Sequence, residues 1–281
     1  MGRLAIVFAV LVIGGVLALP AAAITDGQPD NDGHPYVGLM VAQDASGNPL
    51  WRCSGTLLSP TVYLTAGHCT EAPAVQAEIW FAAGPIPTDS NYKSIAEGGT
   101  GCANPLVKGY PCHGDTGGIV HTHPSFDPDA FFLFDLGVVT LETPVVRTTY
   151  GALPELDQLD GLKPKRSTTF TAVGYGLQKA FPDAAAAKDE AIKVRLVAHP
   201  HLIQINNPGS TGDFSLILSA NANTAGTCFG DSGGPNFIGT SNVLAGVTSY
   251  GKNPTCAGQG GVYRVDKADD LTWLATFGVA P

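Results

Sequence analysis

The chain has 281 residues, 44% of them hydrophobic, which is enough for one large or two modest packed cores and argues against disorder throughout. Only 14% are charged, the net charge is −9 and no Lys/Arg-rich run occurs, so the electrostatic footprint of a nucleic-acid partner is missing.

The first element joins a basic Arg3 to an apolar run from Leu4 to Leu19, followed by Pro20 and small residues ending at Ala23. It reads as a secretory signal over residues 1–23, cut before Ile24, which leaves a secreted chain with no stable membrane association. Six cysteines follow, at 53, 69, 102, 112, 228 and 256. In an exported chain an even number implies three disulfides, with fifteen connectivities open. None forms a C-x-x-C pair, so no metal and no other cofactor is expected.

Short β-rich segments then alternate with turn residues, among them TVYLTAGH, AEIWFAAG, LGVVTLET, TTFTAVGYG, SLILSA, NVLAGVTSY and GGVYRV. Thirty-five glycines and 21 prolines punctuate them, the pattern of sandwiches or barrels. Two stretches look helical: DAAAAKDEA in the middle, and DKADDLTWLATF near the end, where acids precede an apolar stripe at Leu271, Leu274 and Phe277. The polar, proline-bearing RTTYGALPELDQLDGLKPKRS separates two strand-rich halves, placing a boundary near residue 150.

The chemistry concentrates in TCFGDSGGPN, Thr227 to Asn236. A serine hydroxyl attacks only if a base lies within reach and a third group orients that base. Of the seven histidines, His68 ends an apolar strand and abuts Cys69; Asp135 precedes another apolar strand, where a carboxylate is costly to bury unless paired. Gly230 to Gly234 also fits G-x-S-x-G, but an α/β-hydrolase needs its histidine after the serine, and no histidine follows His201. A subtilisin-like order from Asp44, His68 and Ser232 would require a helix-rich α/β chain.

The remaining order is His68, Asp135, Ser232, and here the sequence resembles the trypsin/chymotrypsin family of serine peptidases. SGTLLSPTVYLTAGHC, DLGVVTL and GDSGGP resemble the segments around the family's catalytic His, Asp and Ser; VGYG, TSYG and GGVYRV resemble strands of its second barrel. Gly67, Tyr175 and Tyr250 depart from the usual Ala and two Trp, and a cysteine-bearing insertion spans 102–112. The resemblance implies an all-β fold of two antiparallel six-stranded barrels with a C-terminal α-helix. The first barrel, 24–150, carries His68 and Asp135; the second, 151–281, carries Ser232 and the specificity pocket.

It further implies an oxyanion hole from the Gly230 and Ser232 N–H groups, support of Asp135 by Ser249, and an ion pair between Asp231 and the α-amino group of a mature Ile24. Disulfides Cys53–Cys69 and Cys228–Cys256 follow from the resemblance, leaving Cys102 and Cys112 for each other. The pocket would comprise Gly226, Thr227, Phe229, Gly251 and Gly261, and with no carboxylate there it would take an uncharged apolar or aromatic side chain. The expected partners are protein or peptide substrates and protein inhibitors, met by a monomer. The competing class is a peptidase-like binding module without hydrolytic activity.

Overall fold

Strand β2 (Val37–Gln43) is buried along its whole length, as a strand must be when both of its edges are paired and both faces covered. Its neighbours are β3 (Pro49–Ser59) and β5 (Gln76–Trp80). With β4 (Val62–Thr65), β6 (Thr116–Thr122) and β7 (Gly137–Leu141) they close a six-stranded antiparallel barrel in the order β2-β3-β4-β7-β6-β5. Closure removes every unpaired edge. The computed structural model describes residues 24–86, 114–179, 192–207 and 211–281. The signal segment, Cys102, Cys112 and the Ala-rich stretch 183–191 lie outside the described residues.

The second barrel uses β8 (Lys165–Gly174), β10 (His201–Asn207), β11 (Gly212–Ala220), β14 (Gly258–Arg264), β13 (Leu244–Gly251) and β12 (Pro235–Ile238), closed by pairing of β12 with β8. β9 (Leu196–Ala198) runs beside β8 just ahead of β10, and Pro200, which has no N–H to donate, falls where the two part. Its interior is apolar, with Phe170, Leu202, Leu216, Leu218, Ala245 and Val262 buried together. The helix of the C-terminal pattern, α1 (Ala268–Ala275), is shorter than the amphipathic run and buries Leu274 and Asp270.

A larger apolar cluster crosses between the barrels, joining Val37, Met40 and Leu64 to Phe237, Val247 and Tyr263. The chain start belongs with the second half: β1 (Gln28–Pro29) pairs with β9. A buried Arg195 fastens it, with Nε donating to Asp30 at 2.7 Å and Nη2 to Asp32 at 2.6 Å. A fully buried guanidinium is tolerable only when paired in this way.

Candidate active site

β4 and β7 are hydrogen-bonded neighbours, with Thr65 opposite Gly137. His68 follows the end of β4 on a 3-10 turn, Gly67–Cys69, and Asp135 precedes β7, so the pairing sets imidazole and carboxylate side by side. The Cys53–Cys69 disulfide ties the turn back to β3. Asp135 is fully buried and takes three donors: His68 N–H at 2.9 Å, His68 Nδ1 at 2.9 Å and Ser249 Oγ at 2.6 Å. Burial pulls the imidazole's pKa down, but the charge and hydrogen bond of Asp135, helped by Glu71, hold it above the ordinary histidine value.

Ser232 lies in the loop between β11 and β12, half-buried, with its carbonyl accepting from Ser54 N–H at 2.8 Å. Gly233 explains how close that loop can come. At φ +76° it occupies the left-handed region, and a Cβ there would collide with Thr65 Oγ1 and stand 2.7 Å from Ala66 N. Ser232 is thereby held against the segment that leads into His68. No hydrogen bond joins their side chains among the described residues; such bonds are often long before substrate arrives.

The backbone beside Ser232 is selectively used. Asp231, Gly233 and Gly234 N–H groups donate to Cys228, Thr248 and Asp231 carbonyls. Those of Gly230 and Ser232 meet no acceptor among the described residues, so two adjacent donors remain available for an external oxygen. Gly230 itself is held by Ser54 Oγ, which donates to its carbonyl at 2.9 Å.

Asp231 is fully buried and accepts from Gly176 N–H at 2.7 Å and Cys228 N–H at 2.8 Å. Burial outweighs these donors and pushes its carboxyl up to about 7. Ile24 is also fully buried, among Ala172, Leu196, Ala198 and Ala225. Thr25 bridges to Gly226, which donates its N–H to Thr25 O at 3.2 Å. With the chain continuous ahead of it, Ile24 has no free amine to offer Asp231.

Of the expected pocket residues, Gly226 packs on Ala220 and Gly251 pairs across the sheet with Gly260. A Cβ on Gly260 would stand 3.2 Å from Thr227 Oγ1, whereas Gly261, opposite Tyr250, is covered by the tyrosine ring. Phe229 is 43% exposed, and the Cys228–Cys256 disulfide ties the residue before it to the segment that leads into β14. Sequence reasoning missed Gly260, and also the aromatic group of Phe131, Phe132 and Tyr250, whose rings lie 5.8–6.5 Å apart beside His68. The signal was present in the FFLFD run before Asp135.

The ligand atoms of Cys53, His68 and Cys69 fall within 4.8 Å of one another, but both sulfurs are spent on the disulfide, and a disulfide offers no thiolate to a metal. No helix among the described residues is long and apolar enough to cross a membrane.

Comparison with known proteins identifies the family and the fold. The family model for trypsin matches residues 116–271, more than half of the chain. A trypsin from Saccharopolyspora erythraea is 27% identical over 237 residues, covering 82% of this chain and 87% of that protein. Spermosin from Halocynthia roretzi is 24% identical over 277 residues, covering 95% of this chain but 62% of its own length. Among solved structures, HL collagenase superposes with a TM-score of 0.61 at 19% identity, covering 88% of this chain and 95% of its own. With two closed barrels and a match over the region holding Asp135 and the GDSGGP loop, the chain belongs to the trypsin family of serine proteases.

Proposed function

We propose that the protein is a secreted serine endopeptidase working through an acyl-enzyme. Ser232 Oγ attacks the scissile carbonyl, and His68 Nε2 takes the proton and returns it to the leaving amine. Asp135 holds the imidazole with Nδ1 protonated and stabilises the imidazolium. Ser249 Oγ, donating to Asp135 at 2.6 Å, keeps the carboxylate oriented. The oxyanion is met by the unclaimed N–H groups of Gly230 and Ser232, each worth about 10² to 10³ in rate. Water then repeats the sequence on the ester.

The observation that carries this reading is the buried Asp135 carboxylate with His68 Nδ1 at 2.9 Å, beside a serine loop pressed against Ala66. Signal cleavage before Ile24 would supply the α-amino group that Asp231 lacks, with no separate propeptide to remove. The pocket, with Gly226, Thr227, Gly251 and Gly260 and no carboxylate, favours an uncharged apolar or aromatic side chain before the cut. Protein and peptide substrates and protein inhibitors are the natural partners of such a cleft.

The test is hydrolysis of casein and of chromogenic peptides carrying Phe, Leu, Ala or Arg before the cut, by wild type and Ser232→Ala. Wild-type cleavage that disappears in the variant supports the mechanism, with Phe and Leu peptides leading. Cleavage that survives Ser232→Ala rejects the triad. Folded wild type that cuts nothing, even with its N-terminus confirmed at Ile24, supports the binding-module alternative.

A further inference from the structure

Phe134, the residue before Asp135, sits at φ +52°, in the left-handed region that a residue with a bulky side chain seldom enters. Its carbonyl accepts from Leu136 N–H at 2.7 Å, which closes a tight turn centred on Asp135. The turn stands at the end of a ladder. β6 and β7 pair as far as Thr122 and Gly137, and His123 N–H adds one more bond, to Leu136 O at 2.9 Å. The left-handed residue and the turn together redirect the chain just there. The Asp135 side chain is sent inward, where it is fully buried and accepts from His68 and Ser249.

Glycine takes a left-handed conformation at little cost, whereas phenylalanine holds it only against support from outside the turn. Here the support is a closed circuit of side chains. The His123 ring stacks on Phe134, 5.2 Å between centroids and 9° between planes, and Phe214 meets Phe134 at 5.3 Å. Phe214 stacks in turn on Tyr263 at 6.3 Å, and the Tyr263 hydroxyl donates to the fully buried Asp270 at 2.9 Å. His123 returns to the same carboxylate: its Nδ1 accepts from Ser125 N–H at 3.2 Å, which leaves the proton on Nε2, 3.8 Å from Asp270 Oδ1. Trp273, on the same helix α1, makes a T-shaped contact with the His123 ring at 5.0 Å.

Both arms of the circuit end on α1, and neither includes a member of the triad. Aromatic contacts of this kind fix ring orientation as well as bury area. Phe134 lies where they converge, and the residue bonded to it is the carboxylate that orients the base.

We propose that Phe134 is a positioning residue for the triad: its ring, clamped by His123 and Phe214, keeps the backbone left-handed and so aims the Asp135 carboxylate at His68. This rests on the peptidase reading above. Backbone preference alone would favour glycine at position 134; the clamp predicts that glycine there is worse.

For the test, Phe134→Gly, Phe134→Leu and Phe134→Tyr are made in the full chain, each alone and with Asp135→Asn, and kcat and KM are measured on one chromogenic peptide. Separately, the His68 imidazole is titrated by NMR in Ser232→Ala and in Ser232→Ala carrying each substitution. Phe134→Gly should lose about 10- to 100-fold in kcat with KM within about twofold, since a misdirected carboxylate no longer holds the base. Phe134→Leu, which keeps apolar bulk without a ring to stack, should fall in the same sense and stands in where the glycine variant does not fold. Phe134→Tyr, which keeps the ring, should stay within about threefold of wild type. In the Asp135→Asn background the same substitutions should change kcat by less than about twofold, because the group they act through is already gone. The His68 titration, held above 6.5 in Ser232→Ala, should move down toward that value with Gly or Leu at 134 and stay up with Tyr. A folded Phe134→Gly or Phe134→Leu with wild-type kcat, a loss of equal size with and without Asp135→Asn, or an unmoved His68 titration overturns the assignment. If wild type cuts no peptide, the peptidase reading fails by itself, and the NMR titration alone decides whether Phe134 aims Asp135 at His68.

Discussion

Blocking the amino group of Ile24 should leave a pH-dependent weakness in the fold, and its size can be worked from Asp231. Without that amine, and even with the Arg52 charge pulling it down, the carboxyl titrates near 7 in the folded chain against 3.8 for an ordinary aspartate, a difference of roughly three pH units or about 4 kcal/mol at 1.36 per unit. The folded pKa is the raised one, so the folded chain binds the extra proton. Stability is then full below pH 4 and falls as pH rises toward 7. Ile24 adds to the cost: its φ of +60° is a poor conformation for a β-branched residue, disfavoured partly by the preceding carbonyl that cleavage would remove. A free α-amino group paired with Asp231 would draw the carboxyl down and cancel the slope until the amine itself deprotonates, above its ordinary value of about 8. Thermal unfolding from pH 4 to 8 should therefore compare protein starting at Ile24 with protein carrying two extra residues before it. The extended form should lose on the order of 10 °C more across this range, and Asp231→Asn should flatten its profile. Parallel profiles for the two forms, or an unchanged slope in Asp231→Asn, would refute the coupling.

Three further outcomes follow from the site geometry. Asp135→Asn should cut kcat by about 10⁴ while leaving a folded protein, because the amide stabilises the wrong imidazole tautomer; a loss below tenfold in steady-state kinetics would remove Asp135 from its role. Since His68 is held above its usual 6.5, the acid limb of kcat/KM against pH should have its midpoint above 6.5, and a midpoint below 6 contradicts the Asp135 contact. Gly226→Asp should fail to create a preference for Lys or Arg, because a Cβ there meets Ala220 Cβ and stands 2.6 Å from its Cα; circular-dichroism melting should show destabilisation by about 1–3 kcal/mol, and an unchanged Tm with a gained Arg preference would count against this packing.

Legibility in the sequence followed from how locally each feature is encoded. His68 and Asp135 each sit beside a short apolar strand, and Ser232 lies in a glycine-rich hexapeptide, so residue types and chain order suffice to suggest a triad. Which glycine faces Thr227 was not legible. The register of β13 and β14 shifts between Thr248 and Tyr250, and a one-residue slip sends every later side chain to the opposite face. Gly260 thus meets Thr227 while Gly261 lies under Tyr250, although both are glycines in one run. Motifs record the groups that transfer protons, whereas the residue that faces a given wall depends on long-range register.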